Sequence, residues 1–560
     1  MDNLEKEALL RSKEFIENEK EYRLGFIEAE MSNPKTKSLG ETTVSDTTEG
    51  IKTILDVDMD LAELFDKTLK SREFDLFFDN VLCSLKSGGR IIISGCGSTG
   101  RLAMRIENSW RIAISDLCKQ GMDVSAYEDK VLSLMTGGDY TIIRAVESFE
   151  DYIALGAKQA EDLCLCEKDI LVGVTATGET TSILGTAKQA LSDGAKVWMI
   201  ICSEPASVMK KLDRANAVFS HPNCKSIYMK CGGMAVTGST RMQSSTIEQA
   251  VISSCLEMCL SDIVRDSNIS KEDHKNYLSE GFKKCICTIA SDTAVESIKN
   301  QAETESSLYE KSGLVTYYAD EYLLDVLADT TERGPTFCIP PFKPKSLKGA
   351  VPSWSFVKNP TLDTKKAWTK CFERQPRCIN YTVEDYRKIG VTEKDIQKIP
   401  KIDCDALYEF EIGFEPDTER QGQNSLATWI GLDDNIPEEF YKHAKAYENH
   451  SVMTLADVYE NIPETKLHIF QHIAMKIMIN TMSTITMAKI GRIRGNYMVY
   501  VNISNKKLVD RATRIISELC DIDYEKANYE LFLSKLHFEA KNNPNGPVVI
   551  ETIDRLKNLK

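Results

Sequence analysis

An α/β fold is what this sequence predicts: two tandem units, each a parallel sheet flanked by helices in three layers, and a small all-helical piece at the C-terminal end. Three observations lead there. Short apolar, β-branched runs such as Arg90-Ile91-Ile92-Ile93-Ser94 alternate with stretches of helical periodicity. The alternation pauses near residue 295 and resumes at Leu314. From Phe470 onward the pattern is helical almost to the end. A chain of 560 residues has room for about three or four domains.

In order, residues 1–50 read as a helix and then a polar stretch beginning Met31-Ser32-Asn33-Pro34, an arm or linker. Residues 51–86 carry apolar side chains at helical spacing, among them Leu61, Leu64, Phe65, Phe74, Phe77 and Val81, and Ser87-Gly88-Gly89 ends the pattern. Strands follow at 90–94, 169–174 and 197–201, each leading through a polar turn into a helix, as parallel strands require. Helices at 241–265 and 271–295 close this unit. In the second unit the sequence predicts strands at 314–318, 336–339 and 406–414, with a helix over 321–329. Residues 340–401, rich in Pro, Lys and aromatics, match no single template. Amphipathic pieces at 508–519 and 524–533 complete the C-terminal part. The resulting domains are 1–50, 51–295, 296–475 and 476–560.

Composition narrows the function. Lys plus Arg is 69 and Asp plus Glu is 84, a net charge of −15, so the surface repels polyanions and no nucleic-acid partner is expected. An anionic small molecule must instead be attracted by local N–H groups, hydroxyls and a few placed cations. No apolar run approaches the ~20 residues that cross a bilayer, and the polar start is unlike a secretory signal, so a cytoplasmic protein with no membrane partner is expected. The 17 Cys include the C-x-C pairs Cys164/Cys166 and Cys285/Cys287 but no C-x-x-C, and the 7 His form no H-E-x-x-H. Reduced thiols, no metal and no cofactor are the expectation.

The strongest local signal is Gly95-Cys96-Gly97-Ser98-Thr99-Gly100-Arg101, after a strand and before a helix starting near Gly100. Glycines there turn the chain tightly and bring its backbone up to a ligand, and free N–H groups at the helix start favour an anion. The spacing also matches the dinucleotide pattern G-x-G-x-x-G, but Asp116, near the place of a ribose-binding acid, lies in a helical pattern. A second hydroxyl-rich turn, Thr175-Ala176-Thr177-Gly178-Glu179-Thr180, follows another strand, and Val236-Thr237-Gly238-Ser239-Thr240-Arg241-Met242 is a third. Each alone reads as a helix cap. The three together favour one phosphosugar site.

With Gly137-Gly138-Asp139-Tyr140 and Glu147-Ser148-Phe149-Glu150-Asp151, these stretches resemble the sugar isomerase (SIS) domain. The resemblance is to the branch shared by the N-acetylmuramic acid 6-phosphate etherases and the glucokinase regulatory proteins. The etherases are similar only to the first half of the chain. The regulatory proteins resemble nearly all of it, with two tandem flavodoxin-like SIS domains and a helical lid, the run Lys476 to Thr484 being similar to their lid-proximal helix. The resemblance implies that Ser98, Thr99, Thr175, Thr177 and Thr180 hold phosphate and that Lys476 closes over it. It also implies that Ser239, Thr240 and Arg241 line the pocket, while Glu150 and Glu332 accept from sugar hydroxyls.

In the etherases two glutamates act as general acid and base. The second matches Glu150, the catalytic residue if the chain is an enzyme; the first falls on Ser109. Glu107, two residues earlier, points roughly 200° away around a helix. Gln243 replaces a lysine of the etherase pattern, and Ala319-Asp320-Glu321 stands where the second unit would need its phosphate loop, so one site per chain is expected. The main expectation is a regulatory protein that binds a fructose phosphate-like ligand and controls a sugar kinase of the glucokinase or hexokinase kind. The alternative is a phosphosugar lyase resembling the etherases, with a phosphosugar isomerase third. Because SIS domains pair, a chain with two should be a monomer with an internal pair.

Overall fold

The computed structural model describes residues 3–558 except 145, 147, 148, 266–268, 502, 504, 542, 544 and 545, and leaves out the side chain of Glu150. The first unit holds five strands, β1 (Ile91–Gly95), β2 (Val131–Met135), β3 (Ile170–Val174), β4 (Lys196–Ile201) and β5 (Cys224–Tyr228). All are parallel, in the order β2-β1-β3-β4-β5. β1 and β3 are buried throughout, which is why they read as unbroken apolar runs. β2 and β5 lie at the edges, and β5 carries polar residues and is only partly buried, so its sequence signal is weak.

Helices Thr47–Leu69 and Arg72–Lys86 precede the sheet, started by Asp46 and Ser71, whose side chains accept from backbone N–H groups of the first turn. Ser98–Lys119 follows β1, Thr181–Ser192 follows β3, and Gln243–Ile263, buried on nearly every side, closes the unit. The second sheet runs β7-β6-β8-β9, with β6 (Leu314–Tyr318), β7 (Ser355–Lys358), β8 (Gly422–Ile430) and β9 (Tyr447–Met453), all parallel.

Two strands expected in this second unit are corrected. Thr336–Ile339 straddles the end of helix Leu323–Phe337, which Cys338 stops in the left-handed conformation at φ 51°. A four-residue apolar run does not distinguish a buried helix end from a strand. Residues 406–414 overlap the short helix Cys404–Tyr408, started by the Asp403 carboxylate accepting from Ala406 N at 2.9 Å.

The two units pair within the chain through helices Ser98–Lys119 and Leu323–Phe337. Arg105 Nη1 meets Asp325 Oδ1 at 3.3 Å, and Arg101 Nε donates to Thr331 Oγ1 at 3.1 Å. The stretch from Phe372 to Cys378 crosses from the second unit onto the first. There Arg374 reaches Glu107 at 2.9 Å and Asp139 at 2.5 Å, and Cys378 bridges to Gly138.

Helix Ile469–Lys489 is not part of a peripheral lid as the boundary at 476 implied. It is buried from Ile469 to Ala488 and packs against helices Lys271–Ile289, Asp292–Glu310 and Leu323–Phe337 at the centre of the molecule. The helices after it, Lys506–Cys520, Tyr524–Ala540 and Val548–Asn558, form a bundle with the N-terminal helix Asn3–Asn18. Ser12 Oγ donates to Asn528 Oδ1 at 2.8 Å, and Arg11 pairs with Glu539 at 3.2 Å. Residues 1–50 are therefore not a free arm. Among the described residues no helix is long and apolar enough to cross a membrane.

Candidate functional site

The site is built at the ends of β1 and β3. A Cβ on Gly95 would lie 2.3 Å from the backbone of Thr99, so only glycine lets the loop fold back this closely. Gly97 sits at φ 57°, and the helix begins at Ser98. The Thr99 hydroxyl accepts from Cys96 N and donates to Cys96 O, both at 3.0 Å, which pins the loop. In the second loop Thr175 and Thr180 face each other at 3.0 Å, and Thr177 donates to Glu179 at 3.2 Å. Ser98 Oγ lies 3.2 Å from Thr240 Oγ1, which joins the first loop to the third.

Three stretches, with Ser98 and Thr240 142 residues apart, thus meet at one place. Ser98, Thr99, Thr175, Thr177, Thr180 and Thr240 line a cavity of about 170 Å³. It shares Ser98, Thr240, Asn505 and Arg511, among others, with a larger cavity of about 620 Å³ that reaches Arg101, Ser239, Arg241 and Glu332 and has apolar lining at Pro340 and Phe342. Arg241 is oriented by Asp329 at 3.1 Å and by Ser483 and Thr484 at 3.2 and 3.1 Å.

Glu332 is the carboxyl that lines the larger cavity among the described residues. Burial pushes it above the usual carboxylate range, while Arg101, 3.8 Å away, and Arg241 pull it back. Glu150 falls in the short helix Phe149–Asp151, whose Phe149 lines the larger cavity, and its side chain lies outside the described residues.

Four sequence expectations meet the structure here. Lys476 does not close over the phosphate cradle: it lines neither cavity and donates from behind the third loop to Arg241 O, Met242 O and Thr246 Oγ1 at 2.9, 3.2 and 2.7 Å. The helix carrying it is in the core, so its lysine reaches only the back of that loop. Ser109 is buried and also lines neither cavity. Glu107 points away as its helical phase requires, into a cluster with Arg111, Arg374 and Arg377. In the second unit the turn after β6 holds Asp320, which takes Asn359 at 2.7 Å and Lys370 at 2.9 Å.

Sequence reasoning missed Lys507 and Arg511, which roof the smaller cavity from helix Lys506–Cys520. Their i,i+4 spacing puts them on one face of this helix, although the amphipathic piece read from the sequence, 508–519, begins after Lys507. Nothing in that spacing says which loops the face would meet.

The convergence of these loops at the ends of parallel strands is where comparison with known proteins becomes informative. Residues 76–191 match the glucokinase regulatory protein N-terminal SIS domain. The chain also resembles N-acetylmuramic acid 6-phosphate etherases. The one from Bacillus licheniformis is 26% identical over 290 residues, 50% of this chain and 87% of that protein. The one from Aliivibrio fischeri (strain MJ11) is 35% identical over 174 residues, 31% of this chain and 51% of that protein. The one from Photobacterium profundum is 32% identical over 206 residues, covering 37% and 61%. The chain therefore spans about half the length of the Aliivibrio relative. Among solved structures, tagatose-6-phosphate ketose/aldose isomerase from Escherichia coli aligns with a TM-score of 0.37 at 9% identity, over 79% of this chain and 95% of that one. These etherase relatives correct the main functional expectation: they support the lyase alternative, not control of a sugar kinase. The similarity of residues 76–191 to that SIS domain and the hydroxyl-lined loops remain the frame for function.

Proposed function

We propose that this protein is a carbon–oxygen lyase of the etherase type, acting on N-acetylmuramic acid 6-phosphate or a close relative. The observation that carries this reading is the meeting of three hydroxyl-bearing loops and one half-buried carboxyl, Glu332, around two joined cavities. The smaller cavity takes the phosphate: Ser98, Thr99, Thr175, Thr177 and Thr180 surround it, and the N-terminus of helix Ser98–Lys119 opens onto it. The larger cavity takes the sugar, with Ser239, Thr240 and Arg241 on its wall.

Eliminating an ether needs a base that removes a proton from carbon and an acid that delivers one to the leaving oxygen. Ser109 does not supply the acid, since a hydroxyl holds its proton too tightly at neutral pH. Glu107 does not either, because its arginine neighbours keep it ionised. Glu332 has the required property: burial favours its protonated form while it faces the ligand. We assign it the acid role and Glu150 the base role. Incubating the protein with N-acetylmuramic acid 6-phosphate and assaying D-lactate tests this. The expected result is steady release that Glu332→Gln and Glu150→Gln each cut by ~10²–10⁴-fold. Wild-type protein that binds the substrate and releases no D-lactate overturns the lyase reading.

A further inference from the structure

Arg241 lies on the wall of the larger cavity, yet the carboxylate that orients it comes from the second unit. Asp329, 88 residues further along, accepts from Arg241 Nη1 on Oδ1 at 3.1 Å, and Asn480 Nδ2 donates to the same oxygen at 3.3 Å. The other oxygen, Oδ2, accepts from Arg333 Nε at 2.9 Å. Arg333 stands four residues on in the same helix, Leu323–Phe337, and none of its side chain is exposed. Its Nη1 donates to Tyr317 OH at 2.6 Å, and that hydroxyl lies 2.7 Å from each oxygen of Glu305. Glu305, on helix Asp292–Glu310, also accepts from Gln301 at 2.8 Å and from Tyr309 at 3.2 Å.

The series Glu305, Tyr317, Arg333, Asp329, Arg241 thus runs without a break from the core of the second unit to the cavity wall. Arg333 and Asp329 line neither cavity. Burial by itself would raise the Asp329 carboxyl, but Arg241 and Arg333 outweigh it and hold it below the usual carboxylate range. Buried ion pairs of this kind contribute little stability over apolar side chains of the same shape. What this one supplies is direction. With Arg333 on Oδ2 and Tyr317 behind Arg333, the Asp329 carboxylate has one orientation, and Arg241 is aimed before any ligand arrives. Without Arg333, Oδ2 is released, the carboxylate turns, and Arg241 loses the fixed partner that aims it.

Resting on the phosphosugar reading above, we propose that Arg333 is a positioning residue for ligand binding: it fixes Asp329, and Asp329 fixes Arg241 against the sugar. Arg333 touches no ligand itself. Binding at the loops of the first unit thereby depends on packing inside the second. There β6, whose own turn carries Asp320 where a phosphate loop would stand, still contributes through Tyr317.

Calorimetric titration of the full-length protein with N-acetylglucosamine 6-phosphate tests this in Arg333→Gln, in Asp329→Asn and in the double variant, beside Tyr317→Phe. Arg333→Gln and Asp329→Asn are each expected to weaken binding about 5–30-fold. The double variant is expected to bind no more weakly than the poorer single one, because both substitutions act through the same contact with Arg241. Tyr317→Phe keeps the ring and drops the hydroxyl, and it is expected to weaken binding about 2–5-fold. A purely structural role for Arg333 gives wild-type affinity in folded Arg333→Gln, or losses that add in the double variant, and either result overturns this inference alone. Where Arg333→Gln does not fold, wild-type affinity in Tyr317→Phe does the same. Wild-type protein that binds no sugar phosphate overturns the phosphosugar reading and this inference with it.

Discussion

Lys476 and Arg241 are joined by a hydrogen bond of 2.9 Å from the lysine ammonium to the arginine backbone carbonyl. The same ammonium serves Met242 O and Thr246 Oγ1, so one side chain from the core helix braces the loop that carries Ser239, Thr240 and Arg241. The lysine acts on the loop's shape.

Lys476→Met should therefore strand three buried acceptors and destabilise the protein by about 2–4 kcal/mol. Sugar-phosphate affinity should fall with it, and the salt dependence of the remaining binding should keep its wild-type slope. Denaturant titration and calorimetry at two salt concentrations check both parts.

Glu30 and Glu107 should dominate acid sensitivity. Burial by itself raises both carboxyls, but Arg511 and Arg514 around Glu30, and Arg374 and Arg377 around Glu107, outweigh it and hold each at about 2. A carboxyl lowered in the folded state stabilises the fold fully above its unfolded value, near 4.3, and loses that contribution as pH falls toward 2. Each is expected to contribute about 3 kcal/mol, so the denaturation midpoint should drop steeply between pH 4.5 and 2. A midpoint that stays level over that interval contradicts the assignment.

Gly95→Ala should be far more costly than Gly88→Ala. The first places a Cβ 2.3 Å from Thr99 backbone atoms, whereas Gly88, at φ 84°, has open space around it. The expected losses are about 3 kcal/mol or more against about 1 kcal/mol, and only Gly95→Ala should abolish sugar-phosphate binding. Thermal unfolding with and without ligand separates the two.

Ser109→Glu should not create or increase D-lactate release. The position is buried and lines neither cavity, so the new carboxylate meets no ligand and costs a few kcal/mol of stability, on the order of an unpaired buried charge. A gain in turnover would show that residue 109 reaches the substrate after all.

The phosphate loops were legible because their signal is local: glycines and hydroxyls crowd the end of a strand, and the chemistry needs no distant partner to be read. The phase of Glu107 was legible too, since it follows from helical geometry alone. The second sheet was less so, because a short run such as Thr336–Ile339 suits a strand and a buried helix end equally.

What the sequence by itself determined is which segments are helix, strand or loop where periodicity is strong, and that three hydroxyl-rich turns sit beside helix starts. Tertiary structure alone decided that Lys476 braces a loop from behind, that Arg374 straps the second unit to Glu107 and Asp139, and that Arg511 and Lys507 roof the smaller cavity. The physical reason is that periodicity reports which face of an element is buried, but not what it is buried against. Ion pairs such as Glu30 with Arg511, 481 residues apart, come into being only when the packed faces meet.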